Sequence, residues 1–487
     1  MDIKMKMTSN KVVNNLFWRF FERCGAQGVS FIVSIVLARL IEPQAYGMIA
    51  LVTVFSSVLQ VFVDSGMANA LIQKKDADNL DFSTVFFFNV VVCCVLYVLI
   101  FLAAPFIALF YEQPELTAVV RVLCLTVIIS GIRNVQQAYV SKTMQFKRFF
   151  FATIGGTLVA AEVGIVMAYM GFGVWALVVQ QILNTGLGTL ILWITVKWRP
   201  QKQFSFQRLK GLFSYGWKLL VASLIDRMYN ELRSLIIGKM YSAADLAYYN
   251  RGNQFPGVIV TNINTSIDSV LLPTMSEEQD HRDRVRAMTR RAIKTSTYIM
   301  MPLMVGLAVC AESIVRILLT EVWLPCVPYL RIFCFTFALY PIHTANLNAI
   351  KAMGRSDMFL KLEIIKKIVG LIALVSTMWF GVVWMAYSLL FTAVISSIIN
   401  AFPNRSLLNY SYIDQLKDMC PQIIVSCIMG GIVYAIQIIG LNDFVTLILQ
   451  IILGGIIYVG GSVLFKLESF EYIWNMVKNV KSKEITN

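Results

Sequence analysis

The sequence predicts an all-α, polytopic membrane protein with about fourteen transmembrane helices. Three observations carry that class. Hydrophobic residues make up 57% of the 487 and charged residues only 14%, where soluble domains carry about 25%; mean hydropathy is +0.68. Apolar runs of about 20 residues, the length that crosses a hydrocarbon core, recur along the whole chain. Lys and Arg gather in alternate short connections between those runs, which is how topology and not nucleic acid explains a net charge of +14. One large soluble core is incompatible with this composition.

In chain order the spans are expected near 14–40, 45–72, 82–110, 117–141, 149–170, 173–196, 212–239, 246–273, 293–319, 327–350, 358–380, 382–402, 419–440 and 443–465. The polar, basic start (Lys4, Lys6, Lys11) is expected to run into the first span without a cleaved leader. "FSFQRLKGL" (Phe204–Leu212) reads as an interfacial helix ahead of the seventh span. One set of connections holds Lys74 and Lys75; Lys142, Lys147 and Arg148; Lys197, Arg199, Lys202, Arg208 and Lys210; Arg282 to Arg291; Lys351 and Arg355; and Lys478, Lys481 and Lys483. The other set holds little beyond Arg39, Lys239 and Arg316. The positive-inside rule therefore places both termini in the cytoplasm, consistent with an even number of spans.

The chain also repeats. "RVLCLT" (Arg121–Thr126) matches "RIFCFT" (Arg331–Thr336) 210 residues further on. "LARLIEPQAYG" (Leu37–Gly47) resembles "IGKMYSAADLAY" (Ile237–Tyr248). Spans one to six and seven to twelve are thus expected to be two copies in one orientation, over 1–200 and 201–410, followed by two extra helices and a basic tail over 411–487. Parallel repeats of this kind are typical of transporters.

The seventh span, "ASLIDRMYNELRSLIIGK" (Ala222–Lys239), carries Asp226, Arg227, Glu231 and Arg233 where a buried helix should be apolar. At 100° per residue Asp226, Asn230 and Arg233 form one stripe with Arg227 and Glu231 beside it, opposite Leu224, Ile225, Met228, Leu232 and Leu235. Arg227 and Glu231 are four residues apart, within pairing distance. Arg19, Glu22 and Arg23 mark one arc of the first span; Arg133, Asn134, Gln136 and Gln137 lie in the fourth, and Arg251, Asn262, Thr265, Ser266 and Ser269 in the eighth. Intramembrane charges face a bundle interior or a wet cavity. Salt bridges that register the bundle account for any one pair. The whole set, with its surplus of arginine among amides and hydroxyls, suits a cavity for a large anionic polar ligand, because the guanidinium fork matches phosphate oxygens. Asp64, Glu162 and Asp268 are candidates for structural pairing or for a coupling proton or sodium ion.

Other chemistry is sparse. Most of the 9 cysteines lie in apolar segments and no CxxC occurs; the 2 histidines, His281 and His343, are too far apart for a zinc site, and no cofactor is expected. No Walker A sequence is present. Pro256–Gly257, Pro302 and Pro341 are expected to kink helices, and Gly430–Gly431, Gly454–Gly455 and Gly460–Gly461 to let the last spans pack closely.

"FSYGWKLLVASLIDRMYNELRSLIIGKMYSAADLAYYNRGNQFP" (Phe213–Pro256) and "KAMGRSDMFLKLEIIKKIVG" (Lys351–Gly370) resemble the polysaccharide transport family of the multidrug/oligosaccharidyl-lipid/polysaccharide exporter superfamily, in particular its Wzx-type lipopolysaccharide and capsule flippases. The resemblance extends over essentially the whole chain. It implies two six-helix bundles in a V around a central cavity, in the bacterial inner membrane. It also implies transport of undecaprenyl-diphosphate-linked oligosaccharide, with membrane lipids and other polysaccharide-assembly proteins as partners. Arg19, Arg23, Arg133, Arg227, Asn230, Arg233 and Arg251 are the expected substrate contacts, with Glu22, Asp64, Glu162, Asp226 and Glu231 balancing charge or coupling. These residues rest on the helical-wheel reading alone. A multidrug antiporter of the same superfamily calls for an acidic, aromatic cavity instead, and a membrane polymerase or ligase for a sizeable outward loop; the outward connections, such as Tyr111–Glu115, are short.

Overall fold

The computed structural model describes residues 25–64, 67–74, 76–143 and 145–485. Among them every regular element is helical, and ten segments are long and apolar enough to cross a membrane. α1 (Gly25–Leu40), α9 (Phe206–Met240), α10 (Ala243–Glu277) and α15 (Ser356–Thr377) complete fourteen. The described part of the first is short and apolar, and the other three are longer but more polar. The chain is an all-α, multi-pass membrane protein, and its contacts divide it into two compact units, Met1–Ala247 and Tyr248–Asn487.

The first unit contains α1, α2 (Pro43–Asp64), the short α3 (Met67–Gln73), α4 (Asn79–Phe110), α5 (Leu116–Leu123), α6 (Leu125–Lys142), α7 (Phe146–Tyr169), α8 (Val174–Thr195) and α9. α7 and α8 form a tight antiparallel pair, α6 packs on α4 and α8, and α9 packs along α2, α3 and α4. At the basic end, Trp198 follows α8 and sits among Phe82, Phe86 and Tyr139, with the Tyr139 ring stacked on it at 6.1 Å. Gln136 lies under this cluster and donates to the Trp198 carbonyl at 3.1 Å.

The second unit holds most of α10 and then α11 (Arg282–Val309), α12 (Ala311–Leu318), a 3-10 turn at Glu321–Cys326, α13 (Val327–Ala338) and α14 (Tyr340–Ala352). After these come α15, α16 (Val382–Leu407), α17 (Tyr412–Gln437), α18 (Asp443–Leu464) and α19 (Glu468–Ile485). α11 is its axis and contacts α13, α14, α17 and α19. In two of the three expected glycine pairs one member makes the close approach. A Cβ on Gly430 would meet Val305 at 2.5 Å and one on Gly461 would meet Val425 at 2.9 Å, while Gly431, Gly455 and Gly460 have nothing within 4 Å.

Segmentation differs from the sequence reading in four places. The fourth span is interrupted at Cys124, and the tenth at Leu339, just ahead of Pro341, which has no N–H to continue a ladder. The proposed interfacial helix is continuous with the seventh span as α9; Ser205 starts it by accepting from the Arg208 N–H at 3.4 Å. The charged stretch from Arg282 is the first part of α11 and not a connecting loop.

Charged caps fix the basic end of the first unit. Asp78 and Asp81 form a capping box on α4. Asp81 is fully buried and accepts from Lys74 Nζ at 2.6 Å and Arg208 Nη1 at 3.2 Å. The Asp81 N–H, then Arg208 and Lys74, hold the Asp78 carboxyl below the usual carboxylate range. Asp81→Ala removes the shared acceptor and is expected to cost about 2–3 kcal/mol. Thermal unfolding in detergent checks this; an unchanged midpoint would remove the cluster from the account.

Candidate functional site

α2 and α9 are in close contact at one end and part at the other. At the close end a Cβ on Gly47 would lie 1.7 Å from the carbonyl oxygen of Ala243, the first residue of α10, and one on Gly238 of α9 would lie 2.2 Å from the Leu51 side chain of α2. Only glycine lets the backbones meet there. Lys239 closes the same end by donating to the Phe110 carbonyl at 2.6 Å and pairing with Glu112 at 3.0 Å.

At the other end a cleft of ≈ 580 Å³ opens. Ser57, Gln60 and Asp64 line it from α2, and Ser223, Asp226, Arg227 and Asn230 from α9. Val61 and Ala222 are its apolar members, and among the described residues no aromatic side chain lines it. The wall is hydrogen-bonded. Arg227 Nε and Ser57 Oγ both donate to Glu231 Oε1, at 3.3 and 3.2 Å. Asn230 donates to Asp226 at 3.1 Å. Asp64 accepts from Asn134 at 3.1 Å, and Asn134 also donates to the Val63 carbonyl. The Arg227 side chain is 44% exposed and that of Glu231 19%, so the pair presents its cation to the cleft.

The structure thus brings together Asp64, Asp226, Arg227 and Asn230 in one lining, with Glu231 directly behind it. Arg233 is half-buried, three residues nearer the close end than Asn230. Arg133 is half-buried on α6, its guanidinium beside Gly188 of α8. Glu162 is exposed on α7. Arg251 belongs to the second unit, where it is 5% exposed, donates to Gln254 at 2.6 Å and rests over the Trp323 ring at 5.0 Å. Asp268, also in that unit, accepts from Asn348 at 2.6 Å. Arg19, Glu22 and Arg23 lie outside the described residues. Among the described residues the cleft lining therefore has one arginine and two carboxylates. Sequence reasoning missed Ser57 and Gln60. Their signal was present, since Ser57, Gln60 and Asp64 fall at i, i+3 and i+7 on one face of an otherwise apolar helix.

Residues 36–328 match the family model described as polysaccharide biosynthesis protein. The chain is 26% identical over 308 residues to the teichuronic acid biosynthesis protein TuaB of Bacillus subtilis, spanning 63% of each. It is 22% identical over 399 residues, 80% of each, to the lipopolysaccharide biosynthesis protein WzxC of Escherichia coli (strain K12). Among solved structures, the lipid II flippase MurJ in an inward closed conformation superposes with a TM-score of 0.74 over 93% of this chain and 98% of that one, at 14% identity. An inward-facing multidrug resistance MATE family transporter of the MOP superfamily gives 0.62 over 79% and 94%, at 16% identity. These likenesses establish the fold.

A cysteine pair at Leu51→Cys and Gly238→Cys is expected to cross-link readily in membranes, and adding Gly47→Val to lower the yield several-fold. Equal yields with and without Gly47→Val would show that the close end does not depend on backbone contact.

Proposed function

Because the chain belongs to the polysaccharide biosynthesis protein family, we propose that it moves a polyisoprenoid-diphosphate-linked oligosaccharide from the inner to the outer leaflet of the bacterial inner membrane. The observation that carries this reading is the cleft between α2 and α9. Among the described residues it offers hydroxyls, amides, carboxylates and one arginine. Hydroxyls and amides match the alternating donors and acceptors of a sugar, and a guanidinium matches a phosphate. The names of TuaB, WzxC and MurJ, two of polysaccharide assembly and one of lipid II flipping, agree with such a cargo.

In this mechanism the head group enters the cleft while the isoprenoid tail stays in lipid. Arg227 turns from Glu231 toward a phosphate, and Asn230 and Gln60 hold sugar hydroxyls. Arg233 and Arg133, with Arg19 and Arg23 of the first span, supply further positive charge as the chamber rearranges, and Arg251 acts through packing. The two helical sets, 1–200 and 201–410, rock against each other, and the contacts of α2 at Gly47 with Ala243 and at Leu51 with Gly238 are the gate that must part. With both termini cytoplasmic, outward transfer of about two negative charges is favoured by about 4–5 kcal/mol per 100 mV if they cross the full field.

Asp64 and Asp226 face the same cleft and are the acceptors for a coupling proton or sodium ion. The two carboxylates also favour a second reading, a multidrug antiporter for cations. Arg227, whose side chain faces the cleft, speaks against it, since a guanidinium repels a cationic drug.

Arg227→Gln is expected to lower export of surface polysaccharide at least tenfold with the protein still inserted, as read by surface glycan staining and membrane immunoblotting. Wild-type glycan in a fully inserted Arg227→Gln variant would reduce Arg227 to a structural partner of Glu231. Drug resistance lost in its place would favour the antiporter.

A further inference from the structure

The second unit has a recess that the transport mechanism does not use. At the basic end of α11, Arg286, Arg290, Arg291 and Lys294 surround a pocket of ≈ 560 Å³ that α19 closes with Glu468 and Tyr472. Two of these cations are already neutralised. Arg290 makes two bonds to Asp418, at 2.7 and 2.8 Å, and Lys294 bridges Asp418 at 3.2 Å and Glu468 at 2.7 Å. Arg286 and Arg291 form no ion pair among the described residues. Arg291 is held with its guanidinium over the Tyr472 ring at 5.0 Å.

That ring stands at a boundary. Arg291, Thr295 and Tyr472 also line a second recess, of ≈ 750 Å³, running along α10 and α11 past Ile263, Ile267, Val270, Leu271, Met288 and Ile299. The two spaces share a wall and differ in chemistry, one cationic and one apolar. Val270 and Ile299 are 66% and 41% exposed, so the apolar recess is an open groove. A head-and-tail molecule is the ligand whose own chemistry changes along its length in this order. Basic pockets between transmembrane helices are suited to anionic head groups.

We propose that this composite site binds one anionic phospholipid, its phosphate between Arg286 and Arg291 and an acyl chain in the α10–α11 groove. Arg291, fixed on Tyr472, offers a forked donor to the phosphate. Asp283 and Glu468 on the rim disfavour a head group of higher negative charge, which is why the occupant is a phospholipid and not a diphosphate lipid. The site is separate from the cleft on α9 and does not depend on what that cleft carries.

Native mass spectrometry of the purified full chain tests this with phosphatidylglycerol and phosphatidylethanolamine of matched chains. One phosphatidylglycerol is expected to be retained about tenfold more strongly than phosphatidylethanolamine. Arg286→Gln combined with Arg291→Gln is expected to abolish the preference, Arg291→Lys to keep part of it, and Arg355→Gln, at an exposed pair elsewhere, to leave it intact. Thr274→Trp, which fills the groove, is expected to weaken retention of both lipids. Equal retention of the two lipids by the wild type would overturn the proposal, as would a preference that survives the double variant. Displacement of phosphatidylglycerol by equimolar undecaprenyl diphosphate would overturn the choice of occupant. Thermal unfolding alongside separates loss of the site from loss of the fold.

Discussion

Water must reach one face of α9 for this protein to exist in a bilayer. Asp226, Arg227, Glu231 and Arg233 lie within eight residues, and each charged group at the bilayer centre costs about 2.5–3.5 kcal/mol on the insertion scale. Pairing offsets part of that cost. Arg227 and Ser57 share Glu231, and Asn230 bonds Asp226. The remainder requires solvent, and the cleft beside α2 is where solvent can stand. The polar stripe of Ser57, Gln60 and Asp64 on α2 follows from the same need, because a dry apolar wall opposite those charges would leave them unsolvated.

The wet end is coupled to a dry one. Helices in lipid gain little from apolar contact with each other, so their association relies on close packing and on polar contacts. Gly47 supplies the first by letting α2 meet the Ala243 backbone at the start of α10, and Gly238 of α9 by admitting the Leu51 side chain of α2, while Lys239 supplies the second by tying α9 to the end of α4. A helix pair fixed at one end and parted at the other by hydrated charges has a natural hinge between the two. The second unit uses the same device without the cleft. Gly430 and Gly461 bring α17 against α11 and α18, and Tyr298 and Tyr458 lock α11 to α18, the Tyr298 hydroxyl donating to Ser462 at 3.1 Å and the Tyr458 hydroxyl to the Tyr298 carbonyl at 2.7 Å.

The fold class and most span positions were legible because hydrophobic length is a one-dimensional property of the chain. The break at Leu339 was marked by Pro341, but the one at Cys124 was not, since apolar sequence continues through it. The α9 stripe was legible because charge in an apolar helix is conspicuous. The α2 share was overlooked because serine and glutamine depress hydropathy little and only their spacing shows. Arg251 illustrates a different limit. A helical wheel registers its charge but not Trp323, which is more than seventy positions away and provides the ring face that covers it. Likewise the wheel cannot tell Gly430 from Gly431, because only the neighbouring helix decides which one is crowded.

The most direct test of the central claim is the water accessibility of α9. Ser223→Cys, Asn230→Cys and the buried Ile237→Cys can each be exposed to a membrane-impermeant maleimide in sealed vesicles of both orientations, in a background freed of native cysteines. Labelling of the first two at rates near that of a loop cysteine, from one side only, with Ile237→Cys inert, is the expected result. Failure of both Ser223→Cys and Asn230→Cys to react from either side would mean that the charges are dry and that no hydrated cleft exists.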